Sequence, residues 1–168
     1  MKALIFLAAL ITSNTAYAQT RSFDFMGFDT STPVPAETRV AGRKCKVAQV
    51  GLGECWIIGA IPVGEAQLLS LKVRFNNARM YSVDGVTLSA YYSNLSEALE
   101  AKYGPPSKTD TRKWQNQAGA LFDNVVHSWL FSDGMLELRS MGDTTEQCEL
   151  IFVSSRNSPV RQAPPINF

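Results

Sequence analysis

Four side chains in this sequence could do nucleophilic or redox chemistry: the single histidine, His127, and three cysteines, Cys45, Cys55 and Cys148. A thiol beside an imidazole is a nucleophile pair, because the base takes the proton and the thiolate attacks. His127 and Cys148 meet that requirement in kind, so a thiol enzyme built on them is one reading. The competing reading makes them neighbours in a β meander. Zinc sites take four ligands, or three and a water, and no metal-like spacing surrounds His127. Gly51-Leu52-Gly53 is too short for a nucleotide-binding loop and lacks the strand–glycine–helix context. The carboxylates are scattered singly, and no calcium-loop pattern occurs. These residues point to no catalytic set, no cofactor and no metal.

What the cysteines do depends on where the chain goes. It opens MKALIFLAALITSNTAYAQT. Lys2 is a positive n-region, Ala3 to Ile11 a short apolar run, and Ala16-Tyr17-Ala18 an A-x-A cleavage site. That is the pattern of a secretory signal peptide over 1–18, and the run falls short of the roughly 20 apolar residues a spanning helix needs. Cleavage after Ala18 leaves 168 − 18 = 150 residues, the size of one domain, with no Cys at the junction for a lipid. The expected destination is the periplasm, or the medium beyond it. There a disulfide forms. Cys45 and Cys55 flank Gly51–Gly53, whose hairpin turn would bring them opposite each other, so they are the first candidate pair. Cys148 is then left as a buried free thiol, with an intermolecular bridge or a redox thiol as the sharper alternatives.

Without Lys2 the chain has 16 − 1 = 15 basic side chains against 15 acidic ones. Nucleic acid and anionic lipid both need a basic excess, so neither is the expected partner. The cluster Arg39, Arg43, Lys44 and Lys46 reads as a solvated strand edge.

The elements that must position these residues are mostly strands. Ser22 to Phe28 alternates as a strand. Thr32 before Pro33 suggests a short helical turn. Lys44 to Val50 and Glu54 to Ile61 flank the Gly51–Gly53 turn. Leu68 to Phe75 puts Leu69, Leu71, Val73 and Phe75 on one face. Asn76-Asn77 has turn chemistry, and Arg79 to Val83 returns. Tyr92, Leu95, Leu99 and Tyr103 then form one helical stripe, closed by Gly104 and barred from continuing by Pro105 and Pro106. After it come Ser107 to Gln115, Leu121 to Phe131, a turn signal at Asp133-Gly134 of type I′, Met135 to Met141 and Gln147 to Ser154. The expected fold class is α+β: a mostly antiparallel sheet with one main helix, about 89–103, packed on one face. The domain covers 19–155, and 156–168 reads as a flexible tail.

FDFMGF near the mature start, a Cys pair, then L-x-x-K-Y-G-P and H-S-W-L-F-S-D-G-M-L-E-L resemble small exported bacterial α+β domains of uncharacterised function. The style is similar to that of small proteins of outer-membrane assembly and of two-layer inhibitors. The resemblance covers most of Phe23 to Ser154. It implies an α+β sandwich and a binding role, and offers no catalytic residues to carry over.

The expected function is accordingly a non-enzymatic adaptor in the periplasm that binds another envelope protein. The alternative is a secreted inhibitor or immunity-type protein acting on an envelope enzyme through loops such as Asn116 to Ala120 or Gly142 to Glu146. Core packing is the default for Trp56, Trp114 and Trp129. Trp114, beside Arg112 and Lys113, is the one expected at the surface, and the three together are the candidate binding anchor.

Overall fold

The computed structural model describes residues 21–116 and 118–159. The signal segment 1–18 and residues 160–168 of the expected tail lie outside the described residues. Of the rest of that tail, Asn157 donates to the Met80 carbonyl at 3.2 Å and accepts from Asn76 Nδ2 at 3.1 Å.

The described residues are dominated by antiparallel sheet, with 57% of them in strands and one helical stretch of 15 residues. Two strand pairs precede the main sheet: β1 (Asp24–Phe25) with β2 (Phe28–Asp29), and β3 (Glu37–Val40) with β4 (Arg43–Lys46). The main sheet then runs β5 (Leu52–Val63), β6 (Ala66–Asn76), β7 (Arg79–Leu88), β8 (Lys108–Gln115), β9 (Leu121–Phe131), β10 (Gly134–Arg139) and β11 (Gln147–Ser154). In space the order is β5-β6-β7-β11-β10-β9-β8. Two meanders are thus joined where β11 pairs antiparallel with β7. Between the meanders a 3-10 turn (Ser89–Tyr91) leads into α1 (Tyr92–Tyr103).

The helical stripe packs as its spacing requires. Leu95, Leu99 and Tyr103 are buried, and Tyr92 is partly so. Gly104 ends the helix at φ +81°, a region open to glycine because it has no Cβ. Its N–H donates to the Glu100 carbonyl at 2.8 Å, and its own carbonyl accepts from Trp129 Nε1 at 2.8 Å. The terminator therefore also clamps the helix to β9.

Several local expectations need correction. Ser22 to Phe28 is not one strand: Met26 and Gly27 take positive φ and fold it into the β1–β2 hairpin. No helical turn follows Thr32. The Asp29 carboxylate instead collects the Ser31 and Thr32 N–H groups, both at 2.7 Å, and Val34 then bonds to the Ala78 carbonyl. Burial alone would raise the Asp29 pKa, but these bonds and that of the Ser31 hydroxyl outweigh it and bring it to about 2. The inward face of β6 reads Leu68, Leu71, Val73 and Phe75, with Leu69 only half-buried. A bulge in β5 between Ile58 and Ile61 shifts the register there, with Gly59 at φ +112°.

The hairpin turns are also displaced. Asn76 pairs with Arg79, so the central turn residues are Asn77 and Ala78, both at positive φ. Phe131 pairs with Gly134, so the β9–β10 turn is Ser132-Asp133, and neither residue has positive φ. Gly134 is required for a different reason than a type I′ turn. A Cβ there would lie 2.4 Å from the Val153 carbonyl oxygen and 2.7 Å from the Phe152 ring.

Candidate docking surface

The disulfide joins Cys45 to Cys55, but not across a Gly51–Gly53 hairpin. β4 pairs with β3, and β5 pairs with β6. The bond therefore ties a separate hairpin to the outer strand of the main sheet. Arg43, from the basic cluster, reinforces that tie by donating to the Ile58 carbonyl.

Cys148 is free and fully buried on the helix side of β11. β10 lies between its strand and that of His127. The imidazole Nδ1 instead meets Ser96 Oγ of the helix at 2.9 Å. Ser96 is buried and also donates to Glu100 Oε1 at 3.2 Å. A serine nucleophile needs an exposed Oγ and a carboxylate on the far side of the histidine. Here the carboxylate sits on the serine, so the contact is a tether between helix and sheet. Nothing in the sequence pattern marked Ser96, which follows the apolar stripe by one residue.

Burial pushes the Cys148 thiol up to about 11 from 9.0, opposite to what a nucleophilic thiol requires. The folded protein therefore holds this proton more tightly than the unfolded chain. The resulting stability is intact below pH 9 and is lost as pH rises toward 11. At 1.36 kcal/mol per unit, the expected loss is about 2 to 3 kcal/mol across that window. Urea melts at pH 8.5 and 11 measure it. In Cys148→Ala the fall should shrink by most of that amount, and an unchanged fall would remove the thiol as its cause.

The Trp114, Arg112 and Lys113 trio is divided by the pleat, since successive side chains of a strand face opposite ways. Arg112 bonds Glu137 through both terminal nitrogens, at 2.8 and 3.3 Å. Lys113 pairs with Asp123, and the Trp114 ring lies 5.9 Å from that of Phe122. Trp114 is half-buried. The exposed tryptophan is Trp56, at 61%, with Lys72 Nζ 4.9 Å from its ring centre.

Trp56 belongs to a larger pattern. Following the register across the sheet, one row runs Arg74, Ser82, Val153, Met135 and Leu130. The neighbouring row runs Trp56, Lys72, Asp84, Ile151 and Glu137. Both lie on the face away from the helix, because Trp129 and His127, which touch the helix, have the opposite parity. Of the nine exposed large hydrophobics among the described residues, seven share this face: Leu52, Trp56 and Ile58 on β5, Leu88 on β7, and the adjoining Val153, Met135 and Leu130.

Charged groups divide the apolar areas. Arg74 pairs with Asp84, and Glu137 is held between Arg112 and Arg139. Burial opposes the charge of Glu137, but hydrogen bonds from the two arginines outweigh it and keep the carboxyl below its ordinary range. Both flanking arginines are thereby fixed in place.

No family model, curated protein or solved structure matches this chain. Among the described residues, no helix is long and apolar enough to cross a membrane.

Proposed function

We propose that this chain is an exported, non-enzymatic protein-binding module that takes its partner on the sheet face away from the helix. The observation that carries the reading is the gathering of seven exposed large hydrophobics on that face. Scattered surface hydrophobics are ordinary, but a contiguous row across three strands is the composition of an interface core. The fixed arginines beside it add groups common in binding hot spots. The disulfide and the N-terminal signal pattern support an oxidising envelope compartment, such as the periplasm, as the place of work. The resemblance to small exported α+β domains of uncharacterised function implies a binding role as well.

The test is an in-cell crosslinking pull-down of the wild type and of a Leu130→Lys, Met135→Asp double variant. Surface changes of this kind leave stability within about 0.5 kcal/mol, so melting should be nearly unchanged. A dominant crosslinked envelope protein should be lost in the variant. Equal capture by both proteins would place the binding surface elsewhere.

A further inference from the structure

The two outer strands of the main sheet are treated very differently. β5 is guarded. The β3–β4 hairpin is bonded to it through Cys45–Cys55 and Arg43, a bulge interrupts its register, and Pro62 lies near its end. β8 carries no bulge and no proline. It pairs in unbroken register with β9 from Lys108 to Gln115. Among the described residues no strand pairs with its other side. An unguarded edge is a template for another strand.

The groups that β8 turns outward follow from the hydrogen-bond phase. Ser140 N–H donates to the Val125 carbonyl, so odd residues of β9 bond toward β10 and even ones toward β8. Even residues of β9 face even residues of β8, as in Val126 with Asp110 and Asn124 with Arg112. Thr109, Thr111 and Lys113 therefore direct their N–H and C=O groups away from the sheet. Thr111 N–H meets only the Asp110 carboxylate beside it, at 3.0 Å.

We infer that β8 pairs antiparallel with β8 of a second copy, about a two-fold axis through Thr111. The axis stands perpendicular to the sheet and keeps each face on its own side, so opposed residues must have the same parity. Centring on Asp110 or Arg112 would oppose like charges. Centring on Thr111 sets Asp110 opposite Arg112 and Lys108 opposite Trp114, each twice. These are non-hydrogen-bonded positions, where opposed side chains come closest. Arg112 gives two nitrogens to Glu137 and has donors to spare for a second carboxylate. Lys108, which would otherwise guard the edge, lies over the other copy's Trp114 ring as a cation–π pair. Thr111 opposite itself and Thr109 opposite Lys113 supply about six backbone hydrogen bonds. The product is one continuous sheet, in which the helix-free faces of both copies adjoin.

This inference does not rest on the proposed docking face. The Leu130→Lys, Met135→Asp variant should dimerise as the wild type does. Sedimentation velocity over a wide micromolar range reads the outcome. The wild type should show a monomer–dimer equilibrium. Thr111→Pro removes an N–H that β9 does not use and should weaken association at least tenfold while the circular dichroism spectrum is kept. Asp110→Arg alone and Arg112→Asp alone each place like charges opposite one another and should be monomers. Mixed in equal amounts they restore both pairs and should form a heterodimer, which requires both to be folded. Thr111→Cys should form a disulfide-linked dimer, since hydrogen-bonded antiparallel pairs lie about 5.5 Å apart at Cα. A wild type that stays monomeric overturns the self-pairing and leaves the edge to a strand of another protein. A dimer untouched by Thr111→Pro overturns the assignment to β8.

Discussion

Replacing Asp133 with alanine should cost about 3 to 4 kcal/mol in a urea melt. Asp133 is fully buried at the turn between β9 and β10. Its carboxylate accepts from the Phe23 N–H at 2.8 Å and from the Thr30 hydroxyl. Both donors are themselves buried. Hydrogen bonds to a charged acceptor contribute about 1.5 to 3 kcal/mol each, and unpartnered buried donors add their desolvation cost. Alanine removes the acceptor and leaves both donors facing apolar surface. Asparagine is the informative contrast. Its Oδ1 can still accept from Phe23, and its amide can donate to Thr30, so Asp133→Asn should recover at least half of the loss. The backbone role of the residue, accepting from Ser155 N–H, is untouched by either change. A loss below about 1 kcal/mol for Asp133→Ala would mean that water replaces the carboxylate and that the N-terminal segment is not held from this turn.

The same residue shows where sequence patterns stop being informative. A turn is legible near Asp133-Gly134, because the alternation of β9 and β10 breaks there, but its central residues are Ser132 and Asp133, one place earlier. The buried use of the carboxylate depends on Phe23 and Thr30, more than a hundred residues away, and no local pattern carries that. The helix was legible in full, since Leu95, Leu99 and Tyr103 follow a 3.6-residue period and Gly104 with two prolines stops it. The Cys45–Cys55 pairing is legible in the sequence, but the strands that bring it together are not. A glycine pair allows a hairpin but does not say which strands share it, and β4 found its partner in β3. Trp56 was within reach: once Cys55 is turned inward by its bond, pleat alternation sends Trp56 and Ile58 to the opposite face. The burial preference of tryptophan alone carries no information on that parity. The docking row Val153, Met135 and Leu130 was beyond reach, because it needs the order of β11, β10 and β9 and their registers together.

Phe23→Ala should be the most destabilising single change in the N-terminal segment, at about 3 to 5 kcal/mol. The ring is fully buried and stacks on Phe152 with centres 3.7 Å apart. It meets Phe131 edge-on at 5.2 Å and Tyr103 at 5.8 Å. Three separate elements, β9, α1 and β11, thus converge on one side chain. Truncation leaves a cavity that a segment as short as β1 and β2 cannot collapse to fill. Phe23→Leu keeps much of the volume and should cost less than half as much. Combining Phe23→Ala with Asp133→Ala separates two pictures of this segment. If ring and carboxylate hold the same strap, losing the ring already frees the Phe23 N–H from its acceptor. The double variant should then be less destabilised than the sum, by a coupling of about 1 to 2 kcal/mol. Strict additivity would mean that the ring seals the core by itself and that Asp133 anchors the turn independently. A single cooperative urea transition in all three variants is needed for the comparison. An early separate transition in Phe23→Ala would mean that residues 21–30 detach before the sheet unfolds.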